Sequence, residues 1–196
     1  MNSNGLIATG YLVACLLITP LIVSAQQSTA VERLPQAGDL PAGWVVSSAE
    51  QTAPSDVTAI NDLAEAVYLG PNGSRAWVLL AQVNAGPAAA RTSWELMGNS
   101  FDNLRGTFDA DYNSERELRE MPMPKVAGCA DMRRMRGTDN VIDSIDVGVS
   151  LCAADPDSLI LAYVSGAFGD LSGPRASDAL IGLVLSDAPG ATPEAG

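Results

Sequence analysis

Ala76-Trp77-Val78-Leu79-Leu80-Ala81-Gln82-Val83 is an apolar run of strand length, and Asn84-Ala85-Gly86-Pro87 punctuates the chain directly after it. Beyond that break, Ala90, Trp94, Met97, Phe101 and Leu104 recur at alternating steps of four and three. That spacing sets all five on one face of a helix, and Pro87 suits its first turn. A buried strand running into an amphipathic helix predicts a helix packed on a sheet. Burial of Trp94, Met97, Phe101 and Leu104 is expected to contribute about 1.5–3 kcal/mol each. Trp94→Ala is expected to be among the most damaging changes, at about 3–5 kcal/mol.

Working back towards the amino terminus, residues 64–69 read as a strand, and Gly70-Pro71-Asn72-Gly73-Ser74 turns the chain into its partner. The two form a hairpin. Asn72-Gly73-Ser74 fits a glycosylation sequon, but a turn that tolerates positive φ is the better account of Asn and Gly. Residues 48–58 read as polar loop. Leu40-Pro41-Ala42-Gly43-Trp44 sets a turn that delivers Trp44 as a plug at the edge of the core.

Towards the carboxyl terminus, Met121-Pro122-Met123-Pro124 breaks any helix, and 126–136 reads as a strand. Ile145, Val147, Val149 and Leu151 alternate with Asp146, Gly148, Ser150 and Cys152, the pattern of a half-buried strand. Asp155-Pro156-Asp157-Ser158 is a turn, and 159–164 is apolar enough for a central strand. Ser172-Gly173-Pro174 opens a last helix that buries Ala176, Leu180, Leu183 and Val184. The fold class is therefore α+β: a mainly antiparallel sheet with two packed helices in β-β-α-β-β-β-α order. The chain divides into a signal peptide (1–25), a linker (26–39), one domain (40–185) and a disordered tail (186–196). Its two halves echo each other, strands followed by a helix, without a repeat at the level of residues.

This layout resembles the PsbP-like α/β/α sandwich. The Leu40-Pro41-Ala42-Gly43-Trp44 motif is similar to the opening of bacterial exported lipoprotein and sensor-type domains. The resemblance covers most of residues 40–185 and implies a small exported domain that binds ligands or partners and does no catalysis. It carries over no functional residue.

Residues 6–25 hold no charge and end in Val23-Ser24-Ala25, a small-residue pattern that suits a signal peptidase. A secreted or extracytoplasmic location follows, with an uncleaved signal anchor as the competing reading. Leu12-Val13-Ala14-Cys15 resembles a lipobox. The apolar run continues past Cys15, however, so that residue reads as an ordinary part of the signal.

The formal net charge is -12, from 23 acidic and 11 basic residues, and histidine is absent. The charge argues against an electrostatic nucleic-acid interface and against electrostatic docking on anionic lipid, and the missing histidine removes histidine triads and imidazole metal sites. Outside the signal two cysteines remain, Cys129 and Cys152. An oxidising compartment predicts that they pair, and closing that loop is worth about 3 kcal/mol. Alternation puts Cys129 with Asp131 and Arg133, and Cys152 with Ser150 and Gly148, on the more polar side of the sheet.

The motif with the most chemistry runs from Asp109 to Glu120. Oxygen donors fall at positions 1, 3 and 5 of a calcium loop (Asp109, Asp111, Asn113), and Glu120 occupies position 12. Ser114 stands where the loop needs glycine, and Met121-Pro122 forbids most of an exiting helix. A solvated acidic loop with local Glu–Arg pairs explains the same residues. Met121, Met123, Met132 and Met135 could offer soft sulfur to Cu(I), though methionine commonly fills cores. Asp155 and Asp157 form a carboxylate pair of the kind hydrolases use, but Pro156 between them marks a turn. The expected function is an exported, non-catalytic domain that binds a ligand or protein partner. A weak calcium-binding module and a carboxylate hydrolase are the alternatives.

Overall fold

The computed structural model describes residues 29–52, 59–111, 118–139, 145–154 and 157–186. The signal segment, Asn113, Asp155 and residues 187–196 of the expected tail lie outside them, while Ser186, expected to open that tail, belongs to the last helix. The strands are β1 (Val45–Thr52), β2 (Ile60–Leu69), β3 (Arg75–Val83), β4 (Arg119–Glu120), β5 (Cys129–Asp139), β6 (Ile145–Ala154) and β7 (Ser158–Ser165). A small hairpin, β8 (Ala167–Phe168) and β9 (Leu171–Ser172), follows them. The helices are α1 (Pro87–Asp111) and α2 (Pro174–Ser186).

The seven main strands form one sheet in the order β1-β2-β3-β7-β6-β5-β4, and each neighbouring pair is antiparallel. The apolar run 76–83 thus lies on a central strand, with Leu79 opposite Leu161 of β7. Both faces of β3 and β7 are covered, which is why these strands read as near-continuous hydrophobic runs. Val78 and Leu80 join Ile160, Ala162 and Val164 in one core with Ala176, Leu180, Ile181 and Val184 of α2. Leu79 and Ala81, of opposite parity, join Val149, Leu151 and Leu161 in a second core with Met97 and Phe101 of α1. The two helices therefore lie on opposite faces of the sheet, giving three layers. The two strand triplets, β1-β2-β3 and β5-β6-β7, meet at β3 and β7. Because their helices leave to opposite sides, the echo in element order is not a repeat in space.

Several expectations are corrected. Residues 48–52, expected as loop, continue β1, an edge strand whose residues are mostly exposed. Without a buried apolar stripe such a strand has no period-2 signal to read. Strand β2 begins at Ile60, α1 continues to Asp111, and the short β4 and the β8–β9 hairpin add to the expected order. The segment expected as a loose linker is partly packed: Ala30 and Leu34 are buried in the α2-side core. There the Ala30 N–H donates to Asp62 Oδ2 at 2.7 Å, and Arg33 Nη1 donates to Ser158 Oγ at 2.8 Å. Burial pushes the Arg33 guanidinium below its ordinary value.

The buried line of α1 is also turned from the expected one. Met97 and Phe101 are buried, but Ala90 is exposed and Trp94 half-buried, while Ser93 is fully buried. A serine leaves room for close approach, and its hydroxyl donates to the Ala59 carbonyl at 3.5 Å, so the buried polar group has a partner. Trp44 does plug the core edge, its ring 4.9 Å from that of Phe168 in edge contact. The turn that places it closes through the Trp44 N–H to the Pro41 carbonyl at 3.1 Å, with Gly43 at φ 85°. Asn72 takes φ 56°, as a tight hairpin turn requires. No helix among the described residues is long and apolar enough to cross a membrane.

Candidate functional site

Five of the 11 basic residues, Arg119, Lys125, Arg133, Arg134 and Arg136, fall within 119–136. Alternation along β5 divides its three arginines between the two faces of the sheet. Arg133 lies on the α1 side, over the Phe101 ring at 4.7 Å, and pairs with Asp102 and Glu120, each at 2.9 Å. The hydrogen bonds it donates to Asp102 hold its guanidinium above the ordinary arginine value, against the opposing effect of burial. Arg134 and Arg136 lie on the α2 side.

Arg134 is only 2% exposed and spends every nitrogen. Its Nε donates to both carboxylate oxygens of Asp178 at 2.8 Å, Nη1 to the Met123 carbonyl at 3.2 Å and Nη2 to the Pro124 carbonyl at 2.7 Å. Ser150 Oγ lies 2.7 Å from Asp178 Oδ1 and 2.8 Å from Ser177 Oγ, which in turn donates to the Pro174 carbonyl at 3.1 Å. One buried polar network thus ties β5, β6, the first turns of α2 and the Met121–Pro124 segment together. Prolines 122 and 124 keep that segment out of helix, and the guanidinium fixes where it runs.

Glycine makes the close approach behind this network possible. A Cβ on Gly148 would lie 2.0 Å from the Gly173 carbonyl oxygen, so β6 and the turn before α2 meet backbone to backbone. Gly173 itself adopts φ 55°. The Arg136 side chain lies along Gly173, and its Nη2 bonds the Asp146 carboxylate at 3.1 Å. Ser172 Oγ donates to the same carboxylate at 3.2 Å.

These elements enclose an open cleft of about 420 Å³ lined by Met121, Met123, Arg136, Ser172, Pro174 and Arg175. Strand β4 sets Arg119 opposite Arg136 in the β4–β5 pair. The lining combines an apolar floor with cationic guanidiniums, in a chain whose net charge is -12. A second, more apolar groove of about 440 Å³ lies further along α2, between Leu40, Phe168, Leu171 and Leu183, with Asp39 and Asp170 at its edge.

Of the sequence-derived candidates, Cys129 and Cys152 are joined in a disulfide. Its setting differs from the expected polar face. A bulge between Cys129 and Asp131 shifts the alternation, so Cys129 lies with Met132 rather than Asp131, and both sulfurs are buried in the core beneath α2. Of the calcium-loop residues, Asp109 and Asp111 belong to the last turn of α1, and Glu120 lies in β4, bonded to Arg133. A cation at Glu120 would have to displace that ion pair. Among the described residues, no group of three or more acidic or cysteine side chains is placed to hold a metal. The four methionines are not brought together. Met121 and Met123 line the cleft, Met132 packs on the α2-side core and Met135 on the α1 side. Asp157 lies at the turn into β7.

The cleft was missed in the sequence, although the concentration of arginine in 119–136 was visible there. What could not be read was that Arg175 and Ser172, far along the chain, would be set beside Arg136 by the packing of α2 on β6. No protein-family model matches the chain, and no curated protein does. It is similar to the solved structure of an uncharacterized protein from Mycobacterium smegmatis, at 7% identity and a TM-score of 0.47, over 83% of this chain and 98% of that one.

Proposed function

We propose that the protein is an exported, non-catalytic binding domain, working at the cell envelope or outside the cell, whose ligand site is the cleft at the amino end of α2. The observation that carries this reading is the meeting of Arg136 and Arg175 with Met121, Met123 and Pro174 around one concavity. Binding sites characteristically pair an apolar lining with a few placed polar groups. The buried disulfide accords with an oxidising compartment, and the uncharged run before Gln26 supports export. The Arg134 network gives the cleft a fixed wall, which lowers the ordering cost of binding.

Amide chemical-shift mapping tests the reading with a panel of anionic, neutral and cationic ten-carbon amphiphiles. Saturable shifts at Met121, Met123, Ser172 and Arg175 support it. Shifts confined to the Phe168–Leu183 groove, or none, would count against it.

A further inference from the structure

We infer that the cleft takes an amphiphilic anion: a carboxylate or phosphate head carried on an apolar chain. This rests on the reading of the cleft as the ligand site and adds the chemistry of what enters it. The head is assigned by the guanidiniums. Arg136 and Arg175 both line the cleft. Planar guanidiniums bind carboxylate and phosphate oxygens in paired hydrogen bonds.

The chain is assigned by the rest of the lining. Met121, Met123 and Pro174 offer apolar contact, and unbranched thioether side chains adapt to flexible aliphatic ligands. Charge alone is insufficient here. The protein as a whole is acidic, Asp146 already bonds Arg136, and both side chains of that ion pair are partly open to screening by water and salt. A bare anion therefore gains little, while a chain laid over the methionines adds the free energy of apolar burial. At about 420 Å³ the cleft falls within the range of small-ligand sites and accepts a head group with several methylenes.

Arg134 acts as a positioning residue. It is buried away from the opening, yet it holds the carbonyls of Met123 and Pro124 and so fixes the methionine wall.

The test is calorimetric titration of the mature protein with decyl phosphate and decanoate below their micelle concentrations. Inorganic phosphate and decyltrimethylammonium serve as controls. The expected result is one saturable site for both decyl anions, no heat of binding for inorganic phosphate, and at least about tenfold weaker binding of the cationic amphiphile. The R136Q/R175Q variant, altered only at exposed positions, is expected to keep its melting temperature and lose at least about tenfold in affinity for decyl phosphate. Co-sedimentation with phosphatidylglycerol vesicles, but not phosphatidylcholine vesicles, would identify a bilayer lipid as the source. Binding of the monomeric anions alone would identify a free amphiphile. Equal affinity for decyltrimethylammonium, or unchanged affinity in R136Q/R175Q, overturns the inference. If amide shifts at Met121 and Met123 still respond in that case, the cleft survives as a binding site. If no probe moves them, both readings fall.

Discussion

The Arg134 guanidinium and the Asp178 carboxylate meet at 2.8 Å between β5 and α2, with 2% and 15% of their side chains exposed. This buried pair joins the fold to the cleft, since the same guanidinium holds the Met121–Pro124 wall.

Removing one partner leaves the other charge buried and uncompensated. Arg134→Met is expected to cost about 3–5 kcal/mol in urea unfolding. The double variant Arg134→Met/Asp178→Leu should recover much of that loss, because no buried charge then remains. A loss below about 1 kcal/mol in the single variant would mean that water enters and solvates Asp178, and that the network is looser than its geometry.

The core under α1 depends on Phe101 more than on Trp94. Phe101 is fully buried and Trp94 only half-buried. Phe101→Ala should therefore lower stability by about 3–5 kcal/mol, and Trp94→Ala by clearly less. The reverse order in denaturant midpoints would restore the helix face first read from the sequence.

Gly148→Ala drives a methyl group into the Gly173 carbonyl, where backbone has no rotamer to offer. The expected cost is at least about 1–3 kcal/mol, together with weakened ligand binding, since α2 must move off β6. Wild-type stability in this variant would refute the close approach.

Reduction or Cys129→Ser/Cys152→Ser should lower stability by about 3 kcal/mol through the freed loop. Thiol titration of the unfolded, unreduced protein should find no free sulfhydryl from this pair. Two would contradict the bridge.

Millimolar calcium should leave the melting temperature unchanged, because Glu120 is engaged by Arg133. A rise in melting temperature that is lost in an Asp109→Ala/Glu120→Ala variant would establish the acidic segment as a cation site after all.

Much of the fold was legible in the sequence because its central elements are strongly patterned. The 76–83 run, the alternation in β6 and the heptad-like spacing in α1 each state a period. Edge elements were not legible. β1 and β4 bury little, so they leave no stripe, and the packing of Ala30 and Leu34 is decided by tertiary contacts alone. Ser93 shows the same limit within α1: a small polar residue lies at the contact, and a hydrophobic pattern cannot mark it. The cleft was half legible. Arg134 and Arg136 share a face by simple alternation, but their meeting with Asp178 and Arg175 depends on where α2 packs.

The measurement that tests the central claim most directly is intermolecular nuclear Overhauser contact between decyl phosphate and the protein. The account predicts contacts from the decyl methylenes to the Met121 and Met123 methyl groups, with shifts of the Arg136 and Arg175 guanidinium signals. Contacts to Phe168 and Leu183 instead, with those guanidiniums unmoved, would contradict it.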